Sequence, residues 1–294
     1  MPSRQVDRLD QYELLDFGGG RKLERFGRAV LDRCSPAAVD SVRFENDWSD
    51  AEVRLDDRGE VIRGHLPIED WPVRIADIQF NLKITPFGHV GVFPEQAENW
   101  QWLQSLGETF VPTTNKPPLA LNLFAYTGGS TMALAKAGFE VVHVDASAPS
   151  VRWARDNAAS NQLHDHPIRW IVEDARKFAA RELKRDRRYH VIVLDPPSFG
   201  HGPSGGRWEI ESDLYPLLES CLQLLHDKAH LLLTAHSIKP SPADIIDWLH
   251  HTVGHHTVGH HTVDRRCNIT SKRLTLVDRN QRHLDSGFCI RFAN

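Results

Sequence analysis

With 294 residues, 40% apolar and 25% charged side chains, the chain has material for one full α/β domain plus a smaller one and reads as a soluble globular protein, which excludes disordered and membrane classes. A formal net charge of −4 excludes a whole-molecule basic field, so any contact with nucleic acid has to come from local patches. No run approaches the ~20 apolar residues of a membrane span, the opening MPSRQVDRLDQYELL holds no apolar signal core, and Cys34, Cys221, Cys267 and Cys289 lack disulfide or metal-ligand spacing, which together read as a cytoplasmic protein with reduced thiols.

Residues 1–86 read as a small β-rich domain, and 87–294 as the larger α/β domain. Short alternating runs in SVRFENDW, AEVRLDDRGEVIRG and VRIADIQFNLKITPFG are separated by turn residues, and Asp57-Arg58-Gly59 has hairpin-turn chemistry. Arg21, Lys22, Arg25, Arg28 and Arg33 make this segment locally basic; they either place RNA phosphates or form an ordinary solvated surface. From Gly91 to Leu106 the spacing turns helical, with Pro94 and Glu95 in the first turn and Trp100, Leu103 and Leu106 sharing one face. Pro112 to Pro118 reads as a linker.

The stretch from Leu119 to Asp145, LALNLFAYTGGSTMALAKAGFEVVHVD, predicts strand, tight loop, helix and strand. A loop of this kind presents backbone N–H groups at a helix start, where a ligand approaches closely only past small side chains such as Gly128, Gly129 and Ser130. Asp145 follows near the ~20-residue spacing at which an acid on the second strand takes ribose hydroxyls. The glycine pair alone fits an ordinary turn equally well.

Beyond Asp145 the pattern predicts helix 148–161, strand 168–173, helix 175–184, a strand ending on Asp195, helix 211–225 and strand 230–234. Such alternation requires right-handed crossovers and a largely parallel sheet. The strand before Asp195 runs into Asp-Pro-Pro, where the prolines stop the ladder and stiffen the acceptors beside Phe199. That arrangement suits a planar group with N–H donors, such as an unstacked nucleobase; a rigid strand exit with Phe199 in the core is the other reading. Seven basic residues between Arg176 and Arg188 read mostly as a solvated helix face. A five-residue unit, HHTVG, recurs from His250 to Val263, with no carboxylate or cysteine to complete a metal site. The C-terminal KRLTLVDRNQRHLDSGFCIRFAN predicts an antiparallel hairpin that closes the sheet.

NLFAYTGGST, VDAS, EDA and LDPPSF resemble the S-adenosylmethionine-dependent methyltransferases of class I. They are similar in particular to the bacterial large-subunit ribosomal RNA base methyltransferases, and YELLDFGGGRKLERFG and FGHVGVFPEQAENW resemble parts of that family ahead of the catalytic domain. The resemblance implies a Rossmann-like seven-stranded sheet, S-adenosylmethionine as cofactor and an RNA substrate. It implies that Asp145 and Ala146 hold the cofactor ribose, that Asp174 and Ala175 hold its adenine, and that Phe124, Tyr126, Thr127 and Gly128 hold its methionine moiety with Gln96. Asp195, Pro196 and Phe199 then hold the target base, Asp195 also facing the cofactor. Where the family more often has arginine after the FPEQ glutamine, this chain has Ala97. Relatives that methylate pyrimidine carbon 5 keep a cysteine after the fifth strand or beside the proline pair; TAHSIKP and DPPSF have none, so transfer to a base nitrogen is expected. A nicotinamide-dependent oxidoreductase would share the loop and Asp145 but leaves Asp-Pro-Pro and the terminal hairpin unexplained. A non-catalytic RNA-binding relative would keep the fold without turnover.

Overall fold

The structure is a computed structural model and describes residues 11–65, 70–110, 116–202, 206–236, 239–255 and 267–294. Most of the HHTVG repeat and part of the 112–118 linker lie outside these residues. The chain divides into two compact units. One comprises the residues up to Glu98 with Thr275–Ser286, and the other Asn99–Leu274 with Gly287–Asn294. The compact boundary therefore falls after Glu98 where the sequence suggested residue 86, because the tip of the C-terminal hairpin and the Val90–Pro94 segment cluster with the first unit.

The first unit is β-rich. Strands β1 (Tyr12–Gly18), β2 (Arg21–Phe26), β3 (Ala29–Cys34), β4 (Val53–Leu55) and β5 (Val61–Gly64) form one sheet in that order, and β6 (Pro72–Ile75) pairs with β7 (Ile78–Asn81). The Asp57-Arg58-Gly59 turn joins β4 to β5, with Asp56 N–H donating to Glu60 O at 3.0 Å. Four of the five basic residues singled out from the sequence are spent on acids of the same sheet: Arg21 on Asp32, Lys22 on Glu24, Arg25 on Glu13 and Arg33 on Glu24. Arg28 is exposed.

Asp16, fully buried on β1, gathers this unit around one carboxylate. It accepts from the backbone N–H groups of Phe17, Arg43 and Phe44, from Trp48 Nε1 and from Arg282 on the hairpin tip. Burial alone would raise its pKa; the hydrogen bonds from Trp48 and the backbone outweigh that and hold the carboxyl below the usual range.

The boundary between the units falls within α1 (Ala97–Ser105), which follows a three-residue 3-10 turn at Pro94–Gln96, since Pro94 fits a tight first turn and leaves the regular ladder to begin at Ala97. Its Trp100 and Leu103 are buried on one face, followed by Leu106. In the second unit then come β8 (Leu119–Leu123), α2 (Gly129–Lys136), β9 (Glu140–Asp145), α3 (Ala148–Ser160), β10 (Ile168–Val172), α4 (Ala175–Lys184) and β11 (Tyr189–Leu194). A short hairpin, β12 (Phe199–His201) with β13 (Arg207–Glu209), precedes α5 (Ile210–Gln223), β14 (Leu225–Ala235), α6 (Pro242–His255), β15 (Asn268–Val277) and β16 (His283–Ala293).

The seven-stranded sheet has the order β10-β9-β8-β11-β14-β16-β15, with β16 antiparallel to β14. From β8 the chain builds outward through β9 and β10, then returns to the other side at β11, so the order reverses between β8 and β11. Open α/β sheets bind ligands outside the carboxyl ends of their strands at such a switch point. One face of the sheet packs Leu121, Val142, Val144, Ile192 and Leu231 against Phe178 of α4 and Leu214, Leu218 and Cys221 of α5. Strand β14 starts five residues before the predicted His230, its first residue pairing with Tyr189 across an irregular register.

Polar groups are also buried here. Asn122 Nδ2 donates to Thr131 Oγ1 at 2.9 Å, and Thr131 Oγ1 lies 2.9 Å from His143 Nδ1, tying β8, α2 and β9 together. Nε2 of His143 has no hydrogen-bond partner among the described residues, and the ring lies against Trp170 with centroids 4.8 Å apart. Burial, with Arg155 nearby, pushes the imidazole pKa down to about 3.

Two stability predictions follow from these buried groups. Asp16→Asn takes the charge from the five donors around it and leaves Arg282 paired only through Nε with Asp278, and it should cost about 3–5 kcal/mol, read as a lower urea midpoint; an unchanged midpoint would show that the network contributes nothing net. His143 has its folded pKa below its unfolded value near 6.5, so between these the unfolded chain binds more protons and stability falls as pH falls from about 6.5 towards 3. His143→Gln should flatten that part of the stability-versus-pH curve, and an equally steep curve would contradict the assignment.

Candidate active site

The site is set by strand register. Leu123, the last residue of β8, pairs with Val144 on one side and with Leu194 on the other. The next residues on those neighbours are Asp145 and Asp195, so the two acids flank the exit of β8, about 10 Å apart by two strand spacings. On the far side of β9, Val172 pairs with Asp145 and Glu173 N–H donates to Asp145 O at 3.1 Å, which brings Asp174 to the same edge. At β14, Leu233 pairs with Leu194 and Thr234 follows beside Asp195.

Between the two acids runs the loop Phe124–Gly128. Phe124 (φ 55°), Tyr126 (φ 48°) and Gly128 (φ 90°) all take left-handed backbone conformations. For non-glycine residues this costs of order 1–3 kcal/mol each and persists only where the surroundings enforce it. They do so here. Tyr126 N–H donates to Asp145 Oδ2 at 2.8 Å, Ala125 N–H to Val144 O at 3.1 Å, and the buried Asn157 of α3 donates to Thr127 O at 3.0 Å. The Phe124 ring packs on Trp208 with centroids 4.7 Å apart. Gly129 opens α2 directly against the indole of Trp100, where a Cβ would come within 2.5 Å of the ring.

Asp145 is half-buried and takes one backbone N–H on each oxygen, Ser147 at 2.8 Å on Oδ1 and Tyr126 on Oδ2. Burial pushes its carboxyl up, and these two donors oppose that. A carboxylate oxygen accepts more than one hydrogen bond, so the group retains capacity for a diol. Ala146 is half-buried beside it, and Ser147 caps α3 by accepting from Ser150 N–H.

Asp174 is the N-cap of α4, accepting from the backbone of Arg176 at 2.9 Å and of Lys177 at 3.4 Å. The Arg176 guanidinium also closes on it, Nε at 3.1 Å from Oδ1 and Nη2 at 2.7 Å from Oδ2, and holds the carboxyl below its usual range. Ala175, the first helical residue, is buried.

Thr234 Oγ1 donates to Asp195 Oδ1, and His236 Nε2 stands 4.0 Å from the same oxygen. Pro196 is buried, whereas Pro197 is exposed and its carbonyl accepts from Trp208 Nε1 at 2.7 Å. Phe199 is 69% exposed on β12, which removes the reading of it as a core residue. Gln96 belongs to the other unit, where it is buried in its 3-10 turn.

The edge therefore collects Asp174, Ala175, Asp145, Ala146, Phe124, Tyr126, Thr127, Gly128, Asp195 and Pro196 from the predicted set. Sequence reasoning missed Trp100, Asn157, Thr234 and Trp208, which touch the loop or the acids from below and beside. Trp100 had a buried face assigned but no partner; the others carried no signal, since their roles arise from elements distant in sequence. The donor set fits a nucleoside bearing a charged amino-acid tail. Asp145 suits a ribose, and the N-terminus of α2, whose N-cap is Gly128, suits a carboxylate.

Comparison with known proteins agrees with this chemistry. The sequence model of the S-adenosylmethionine-dependent methyltransferase family matches residues 38–270. A solved structure of the SAM-dependent methyltransferase from Agrobacterium tumefaciens is 33% identical, covers 96% of this chain and 90% of its own, and superposes with a TM-score of 0.85. Ribosomal RNA large subunit methyltransferase I of Aeromonas salmonicida is 31% identical over 156 residues, 51% of this chain and 37% of that protein. Ribosomal RNA large subunit methyltransferase K/L of Methylococcus capsulatus is 34% identical over 118 residues, 40% of this chain and 16% of that protein. The matched stretches thus span well under half the length of these curated relatives. No helix among the described residues is long and apolar enough to cross a membrane. With its sheet order, its strained loop beside Asp145 and a family match over most of its length, the chain belongs to the S-adenosylmethionine-dependent methyltransferases.

Proposed function

We propose that this chain methylates a nucleobase nitrogen of ribosomal RNA in the cytoplasm. The observation that carries the reading is Phe199, a ring 69% exposed two residues beyond a proline pair whose Asp195 sits across the strained loop from Asp145. An aromatic surface beside a fixed acceptor is what an unstacked base requires, and stacking on such a ring is worth about 1–3 kcal/mol. The ribosomal RNA relatives support that substrate class.

The sulfonium cofactor supplies a methyl group already activated for in-line displacement, so the protein's tasks are orientation and electrostatic fit. In this reading Asp145 and Ala146 hold the ribose and Asp174 and Ala175 the adenine. The Phe124–Gly128 loop, with Tyr126 and Thr127, holds the methionine portion. Thr234 fixes Asp195 through Oδ1, and Asp195 accepts the N–H of the target base and the proton that methylation releases. Pro196 stiffens that acceptor and Phe199 stacks on the base.

Nitrogen is favoured over pyrimidine carbon 5 because the latter needs a thiolate to add to the ring. The tips of β11 and β14 carry none. Cys289 stands opposite Thr234 in the ladder but is buried, as is Cys221 within α5.

Incubation with labelled cofactor and large-subunit ribosomal RNA from cells lacking the protein should transfer label to a base, with mass spectrometry finding an N-methyl nucleoside. Binding of cofactor without any transfer would instead favour a non-catalytic RNA-binding protein. Asp195→Ala should abolish transfer with cofactor affinity nearly intact, whereas Asp145→Ala should weaken S-adenosylhomocysteine binding by ~1.5–3 kcal/mol in calorimetry. Equal loss of both properties in Asp195→Ala would contradict the division of roles.

A further inference from the structure

Arg176 is the first basic residue of the stretch that the sequence marks as solvated helix face, yet its guanidinium reaches three separate elements. Nε and Nη2 bind the Asp174 carboxylate, Nη2 also donates to Arg207 O of β13 at 3.0 Å, and Nη1 pairs with Asp213 Oδ2 of α5 at 2.9 Å. The group also lies over the Trp208 ring, 5.7 Å from its centroid. Trp208 in turn packs on Phe124 of the strained loop and donates to Pro197 O.

The β12–β13 hairpin closes onto the same carboxylate. Gly202 and Gly206 are the residues flanking its tip, joined by a 2.6 Å bond from Gly202 N–H to Gly206 O. A Cβ on Gly202 would lie 3.2 Å from Asp174 Oδ2, and one on Gly206 would lie 3.7 Å from both Asp174 Oδ2 and Arg176 Nη2. The strand opposite Arg207 and Trp208 carries Phe199, paired with Glu209. One planar fork thus spans the adenine-side acid and the hairpin that displays the exposed ring, a geometry an ammonium on a flexible stem cannot reproduce.

We propose that Arg176 is a positioning residue that fastens the Phe199 hairpin to Asp174, so that the base-stacking surface is held in register with the adenine end of the cofactor site. This rests on the reading of Phe199 as the base-stacking ring. Arg176→Met keeps the aliphatic stem and removes the fork, while the Arg176 and Lys177 backbone donors still hold Asp174.

The test uses the full chain. Hydrogen exchange without ligand should be faster in Arg176→Met at Phe199–His201 and Arg207–Glu209, with β8, β9 and β11 unchanged. With unmethylated large-subunit rRNA transcribed in vitro, KM for RNA should rise roughly tenfold while S-adenosylhomocysteine affinity stays within about twofold. Arg176→Met combined with Phe199→Ala should bind RNA no worse than Phe199→Ala alone, because both act through one surface. Arg176→Lys serves if the methionine variant is poorly folded, and it should restore only part of the RNA affinity. Unaltered hairpin exchange in both variants, or additive losses in the double variant, would overturn the proposal. Faster hairpin exchange in a protein that transfers no methyl group to RNA would uphold the clamp and refute the RNA reading instead.

Discussion

Leu123 is bonded in register to Val144 on one flank and Leu194 on the other, and this lateral pairing of three parallel strands governs the rest of the larger unit. Register fixes where each neighbour ends, and with it which residue first leaves the ladder. A slip of one residue on either side would turn the emerging acid to the opposite face of the sheet. Both carboxylates then owe their placement to backbone hydrogen bonding deep in the apolar core, where Leu121, Val142 and Ile192 are shielded from water. The chemistry at the edge is only as well defined as the packing beneath it.

That edge stores conformational strain. Phe124 and Tyr126 adopt backbone angles that a free peptide avoids, and what retains them is a set of donors and contacts from β9, α3 and β13. Asp145 serves twice in this account, once as the acceptor that fastens Tyr126 N–H and once as the proposed partner of a ribose. Loop shape and ligand affinity therefore share one residue.

Much of the fold was legible because its signals are local. Apolar runs of five or six residues, glycine after α2, and serine and aspartate at the heads of α3 and α4 mark strand and helix limits to within a residue or two. Asp145 and Asp195 were legible for the same reason, each ending an apolar run. The β12–β13 hairpin was not, since its strands have only three residues and no alternation to read. Nor was the fate of the charged residues. Arg21, Arg33 and Arg176 look like solvated cations in sequence, but each is committed to an acid that strand pairing or tertiary packing brings near, Asp32, Glu24 and Asp213. Phe199 was ambiguous on paper because an aromatic after a proline pair packs inward or outward with equal ease until its neighbours are known.

The contact of Gly129 with the indole of Trp100 makes these two positions a single unit of variation. Divergent descendants of this chain can enlarge the first only if the second shrinks in step, so sequences sharing this loop should show the pair changing together, glycine with tryptophan or a bulkier residue with a smaller ring. An aromatic far upstream in the chain would then report, by its size alone, how much room is left at the mouth of α2.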